Sequence, residues 1–126
     1  MKIGKLDHVN LRTDQLDAMI AWYRDILGLT QGARPDFAFP GAWMYADDTA
    51  AVHLVSVESE DRVGAERDLK LEHFAFSATG AAEFEARLQS HGQQYKRNEI
   101  AAINIVQFNV WDPDGNHVHI DFLLDE

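Results

Sequence analysis

The residues of this chain best suited to chemistry are its histidines. The 126-residue sequence carries six of them and no cysteine, so thiolate ligation and thiol nucleophiles are excluded and imidazole is the main nitrogen donor. Four of the six fall on a repeat. His8 and His73 take the same place in two similar segments, Leu6-Asp7-His8-Val9-Asn10-Leu11 and Leu71-Glu72-His73-Phe74-Ala75-Phe76. His53 and His119 follow them at nearly the same interval, in two later apolar segments. A repeat folded about a pseudo-twofold axis brings equivalent positions together, and imidazoles meeting at one point suit a borderline divalent transition metal, because each neutral nitrogen offers a lone pair. An isolated strand histidine is most often just a half-buried residue; the matched positions set these four apart. His91, at the end of a helical pattern just before Gly92, reads as a cation complementing the carbonyl end of a helix. His117, His119 and Asp121 share one strand face at intervals of about 6.6 Å. Only His119 is in register with His53, so His117 reads as a rim residue or one that supports a ligand from behind.

These side chains need elements to hold them. Each of the two similar segments alternates as a short strand does and leads into a helical pattern. In the first pattern Leu16, Met19, Ile20, Tyr23 and Leu27 form one face, Thr13 or Asp14 is placed to cap the start, and Gly28 occupies the left-handed position past the end. In the second, Ala81, Phe84 and Leu88 keep the spacing and Gly92 ends it. Strand-like runs follow each helix: Trp43–Tyr45 and Ala51–Val57 after the first, Ile103–Val110 and His117–Phe122 after the second. The last two are joined by Asp112-Pro113-Asp114-Gly115-Asn116, a tight-turn sequence. The expected organisation is one α+β domain of two βαβββ modules, 1–57 and 71–126, joined by the connector 58–70, in which charged side chains are the majority. Neither module is large enough to stand alone, so they share a core or exchange partners between chains. Parity puts Leu6, His8 and Asn10 on one face, with Ala51, His53 and Val55 and with Leu71, His73 and Ala75, away from the helices.

Composition narrows the partners. The 11 basic against 21 acidic residues give a formal charge of −10, which disfavours nucleic acid and anionic membrane. Met1–Asp7 lacks the apolar core of a signal peptide, and no run approaches the roughly 20 apolar residues of a membrane span. A cytoplasmic location is expected, and the lack of cysteine fits a reducing compartment.

The motifs Leu6-Asp7-His8-Val9, Trp22-Tyr23-Arg24-Asp25-Ile26-Leu27-Gly28-Leu29, Leu71-Glu72-His73-Phe74-Ala75-Phe76 and Asp112-Pro113-Asp114-Gly115-Asn116 together resemble the vicinal oxygen chelate superfamily, which contains glyoxalase I, extradiol dioxygenases, fosfomycin-resistance enzymes and bleomycin-binding proteins. The resemblance spans nearly the whole chain. It implies paired βαβββ modules whose curved mixed sheet surrounds a cup, usually in a homodimer, with His8, His53, His73 and His119 as metal ligands. The sequence departs from the family pattern where His119 stands in place of a glutamate three residues beyond Asn116, and where His53 stands in place of the glutamate common in glyoxalase I members. An all-imidazole set lacks the ligand carboxylate that acts as base in glyoxalase chemistry; Asp121, on the same face as His119, is the expected replacement, as a catalytic group or as the partner that holds His119.

Asn10, Gln107, Asn109 and Trp111, with Trp43 and Tyr45, have parities that fit a substrate-binding wall. Arg34 is the expected anchor for a substrate carboxylate, in an apolar segment, 34–43, that serves as lid, edge strand or dimer interface. The resemblance implies a metal-dependent enzyme using Zn, Fe, Ni or Mn on a small metabolite with vicinal oxygens, with lyase or isomerase chemistry ahead of ring-cleaving dioxygenation. The alternative it implies is a metal-free small-molecule binder of the bleomycin-resistance type.

Overall fold

A computed structural model of the chain describes residues 1–2, 4–58 and 71–126. The chain separates into two compact units, divided between positions 66 and 67. Apart from Glu58, the charged connector 58–70 lies outside the described residues.

The first unit runs β1 (Val9–Thr13), α1 (Leu16–Asp25), β2 (Thr30–Gly32), β3 (Gly41–Ala46) and β4 (Thr49–Ser56), in the sheet order β1-β4-β3-β2. β1 pairs parallel to β4, with Val9 opposite Val52 and Asn10 opposite His53, and the remaining pairs are antiparallel. α1 is the crossover that parallel pairing requires. It buries Met19, Trp22 and Tyr23 together with Val52 and Leu54 of β4, the apolar face expected from the spacing. The helix begins one residue later than expected: Gln15 is its first flanking residue and makes no side-chain cap, while the Thr13 hydroxyl accepts a hydrogen bond from the Gln15 N–H at 3.1 Å. It closes at Gly28 (φ 72°), where the Leu29 N–H reaches the Tyr23 carbonyl at 3.0 Å and the Gly28 N–H reaches that of Arg24 at 3.0 Å. This paired closure needs a left-handed residue, which glycine adopts without strain. Leu27 therefore lies past the helix.

The second unit repeats the plan: β5 (Phe74–Ser77), α2 (Ala81–Ser90), β6 (Tyr95–Ile100), a 3-10 turn (Ala101–Ile103), β7 (Ile105–Trp111) and β8 (His117–Leu123), in the order β5-β8-β7-β6. Here β5 is parallel to β8, with Phe74 opposite Val118 and Ala75 opposite His119. Its core is aromatic. Phe108 is fully buried, with Phe84 of α2 edge-on at 5.5 Å and Phe122 of β8 edge-on at 5.6 Å. The turn 112–116 forms as its sequence requires: Asp112 Oδ1 accepts from the N–H groups of Asp114 (3.0 Å) and Asn116 (2.9 Å), and Asp112 Oδ2 accepts from the Asn116 amide at 2.8 Å.

Among the described residues the structure therefore has two α-helices and two four-stranded mixed sheets, the expected α+β class. Each unit has one strand beyond those legible individually in the sequence, β2 and β6, and both are sheet edges. β2 is exposed throughout and β6 is exposed in its interior; backbone pairing holds them without an apolar pattern. β7 starts at Ile105 rather than Ile103, which sits exposed in the 3-10 turn.

Replacing Phe108 by alanine is expected to lower stability by about 3–5 kcal/mol, as truncation of a buried aromatic does. Phe39→Ala, at a position 44% exposed, is expected to change it by less than about 1 kcal/mol. Urea unfolding of both variants checks this.

Candidate metal and substrate site

His8 and His73 sit one residue ahead of β1 and β5, and the parallel pairing then puts each beside a histidine of the last strand. In the first unit the His8 and His53 rings stack with centroids 3.9 Å apart and planes 12° from parallel. In the second, His73 and His119 stack at 3.7 Å and 13°. Each unit thus brings together its own two sequence-predicted histidines, one from each repeat-equivalent pair.

A carboxylate accompanies each pair. Asp7 Oδ2 is 2.7 Å from His8 Nδ1, and Glu72 Oε2 contacts His73 Nδ1. Occupation of Nδ1 leaves Nε2 as the free donor, the way a carboxylate orients a ligating histidine. Hydrogen bonds from His8, and from His73 and His117, hold the Asp7 and Glu72 carboxyls below the usual carboxylate range. The partner carboxylates were legible as a second repeat, since Asp7 and Glu72 each directly precede the repeated histidine, but they carry no weight in a search for histidines.

The surroundings of the two pairs differ. In the first unit Trp43, opposite His53 across β3 and β4, stacks on it at 4.0 Å and 8°. Phe37 lies 6.4 Å beyond Trp43, and Phe39 stacks on Phe37 at 5.1 Å. The Arg34 guanidinium lies 4.9 Å from the Phe37 ring centre and 5.1 Å from that of Phe39, and it donates to the Phe39 carbonyl at 3.0 Å. Gly41 makes room for it: a Cβ there would collide with the Leu54 carbonyl oxygen and lie 2.9 Å from Arg34 Nη2. The segment 34–40 is thus an irregular loop ahead of β3. Asn10 lies beside His53 in register, and the Tyr45 hydroxyl donates to the Ala33 carbonyl at 2.6 Å.

In the second unit two of the three facing neighbours are carboxamides. Asn109 lies opposite His119, Gln107 opposite Asp121 and Trp111 opposite His117. His117 is tied into the site: its Nδ1 is 2.7 Å from Glu72 Oε1, its Nε2 is 3.0 Å from Asn109 Oδ1, and Trp111 stacks on it at 4.8 Å. His119 is 8% exposed, and its Nε2 is buried without a hydrogen-bond partner, as is Oδ1 of Asp121 two residues along.

Burial, followed by the neighbouring His8, lowers the affinity of His53 for a proton, and burial, followed by His73 and His117, does the same for His119. Both rings therefore stay neutral, with a lone pair to offer, further into the acid range than a free histidine.

The second unit fits a metal ion. Donor atoms of Glu72, His73, His117 and His119 all lie within 4.8 Å of one another. Tetrahedral ligands at bond lengths of about 2.1 Å are roughly 3.4 Å apart, a spacing close to that of this set. The buried His119 nitrogen with no protein partner is what such a site requires.

Residues 5–120 match the Glyoxalase/Bleomycin resistance protein/Dioxygenase superfamily, while no curated protein sequence matches the chain. Among solved structures, the glyoxylase/bleomycin resistance protein/dioxygenase domain from Frankia sp. EAN1pec superposes with a TM-score of 0.78 at 19% identity, over 97% of this chain and 99% of that one. Lactoylglutathione lyase from Agrobacterium tumefaciens does so with 0.70 at 20% identity, over 97% and 96%. The fosfomycin resistance protein from Listeria monocytogenes gives 0.69 at 14% identity, over 96% and 94%. With most of its length matched, the chain belongs to the Glyoxalase/Bleomycin resistance protein/Dioxygenase superfamily.

Proposed function

We propose that this protein is a metal-dependent enzyme, a lyase or isomerase ahead of a ring-cleaving dioxygenase, acting on a small metabolite that presents two adjacent oxygens. The ion, one of Zn, Fe, Ni or Mn, takes its ligands from among the histidines of the two stacked pairs, His8 with His53 and His73 with His119, each of which forms within its own unit. The observation that carries the reading is the buried, unpartnered His119 Nε2 beside the stacked His73 ring, within reach of three further potential ligands, His73 among them. A bound ion supplies Lewis-acid polarisation of the substrate oxygens.

The remaining work falls to the chain. Asp121, with one carboxylate oxygen buried and unpartnered, takes the proton from the carbon beside the polarised oxygen, the part a ligand glutamate plays elsewhere. Gln107, Asn109 and Trp111 are the substrate-binding groups of the second unit's lining, and Asn10 and Trp43 are those of the first. Arg34 binds an anionic tail. The working form is a homodimer in the cytoplasm, with neither nucleic acid nor membrane as partner; no described helix is long and apolar enough to cross a membrane.

A second reading has its own observation. The row Phe39, Phe37, Trp43, His53 and His8, with Arg34 beside its outer rings, suits a planar ligand held without a metal, as in a binder of the bleomycin-resistance type.

Elemental analysis of untagged protein reconstituted with Zn(II), Fe(II), Ni(II) or Mn(II) separates the two. The enzyme reading predicts a stoichiometric ion that H73A/H119A loses, together with turnover of a hemithioacetal or another vicinal-oxygen substrate. A metal-free protein that still binds planar ligands supports the second reading. Under the enzyme reading Asp121→Asn keeps its metal and loses about 10²–10⁴-fold in kcat, the contribution of general acid–base catalysis; full activity in that variant removes Asp121 from the mechanism.

The histidine environments also predict a pH dependence of folding. His53 and His119 are harder to protonate folded than unfolded, so the unfolded chain binds more protons below the ordinary histidine value of 6.5. Their contribution is complete above that value and is lost as pH falls through it toward the folded values. Urea midpoints of the metal-free protein should fall more steeply from pH 7.5 to 5.5 in wild type than in H53Q/H119Q; equal slopes would contradict the assignment.

A further inference from the structure

The two units share a backbone plan but not a lining, and the second histidine pair is the one surrounded by further donor atoms. Continuing the β1–β4 register by one residue sets His8 opposite Ala51; continuing that of β5 and β8 sets His73 opposite His117. Ala51 and His117 are thus equivalent, as are Trp43 and Asn109, which face His53 and His119 from the neighbouring strand. Where the first unit has a methyl group and an indole, the second has an imidazole and a carboxamide joined at 3.0 Å. It also has a carboxylate that touches two histidines, where Asp7 pairs with one.

We propose that the second unit holds a divalent transition metal by itself through Glu72, His73, His117 and His119, with Glu72 supplying the carboxylate that the four-histidine set lacks. The proposal rests on the metal dependence argued above, but makes His8 and His53 unnecessary for capturing the ion. Three features carry it. Four donors lie within 4.8 Å of one another. The residue His119 is more than nine-tenths buried, and its Nε2 has no partner. The Glu72 side chain, 70% exposed at the entrance to the strand, is free to turn from the histidine Nδ1 atoms to an ion without breaking any packing. Three imidazoles and one carboxylate also lower the net charge of a bound divalent ion, which an all-imidazole set leaves at its full value.

The test is Co(II) titration of the full chain, followed by its d–d absorption and by calorimetry, for wild type, E72Q, E72D and H8Q/H53Q. Circular dichroism checks folding, and H8Q alone, at a side chain 39% exposed, stands in if the double variant unfolds. The proposal predicts one Co(II) per chain, less than tenfold loss in H8Q/H53Q, and more than about 100-fold loss with altered bands in E72Q, beyond the roughly 10–100-fold expected of a group that only orients a ligand. Partial recovery is expected in E72D. Loss of affinity in E72Q with unchanged bands makes Glu72 a positioning residue and overturns the ligand assignment. Retention in E72Q with loss in H8Q/H53Q overturns the proposal but leaves the metalloenzyme reading standing. No binding by wild type of Co(II), Zn(II), Fe(II), Ni(II) or Mn(II) overturns both.

Discussion

The parallel pairing of the first and last strands in each unit is the constraint from which the site follows. An antiparallel partner would need only a short turn, whereas a parallel one needs a crossover, and α1 and α2 are those crossovers. Their apolar faces settle which side of each sheet is buried. Val52 and Leu54 in one unit, and Val118, Ile120 and Phe122 in the other, pack on that side. The intervening residues face away, and those residues are His53, His119 and Asp121. The stacking of His8 on His53 and of His73 on His119 is the local result of a register fixed by hydrophobic burial.

A duplicated plan does not oblige its two copies to do the same thing. One copy became aromatic, with Trp43 lying flat on His53 and Arg34 over two phenylalanine rings. The other became polar, with Glu72, His117 and Asn109 linked by hydrogen bonds around His119. The first lining offers flat aromatic faces and a guanidinium, and the second offers nitrogen and oxygen donors close together.

Much of this was legible in the sequence because burial writes itself as periodicity. β1, β4, β5 and β8 alternate since one face of each is covered, and Gly28 and Gly92 mark helix ends because both have positive φ. β2 and β6 could not be read so: Thr-Gln-Gly and Tyr-Lys-Arg-Asn-Glu-Ile pair through backbone at sheet edges and bury little. In the site, repeat logic found the four histidines whose equivalents are histidines. It passed over His117, whose equivalent is Ala51, and Glu72, whose equivalent is another carboxylate whose role shows only in its contact with His8. His117 breaks the repeat and so escapes a search for matched positions, whereas Glu72 matches Asp7 and escapes only a search confined to histidines.

Membership of the superfamily and the arrangement of the two histidine pairs leave one decisive question, whether the imidazoles hold an ion. A crystal structure of the zinc-loaded protein, with anomalous scattering recorded at the metal edge, answers it most directly. The account predicts a single strong peak at roughly 2.0–2.2 Å from nitrogen atoms of both His73 and His119. A fully loaded protein whose anomalous peaks all lie on unrelated surface carboxylates, with the His119 nitrogen hydrogen-bonded to water or to protein, would contradict it.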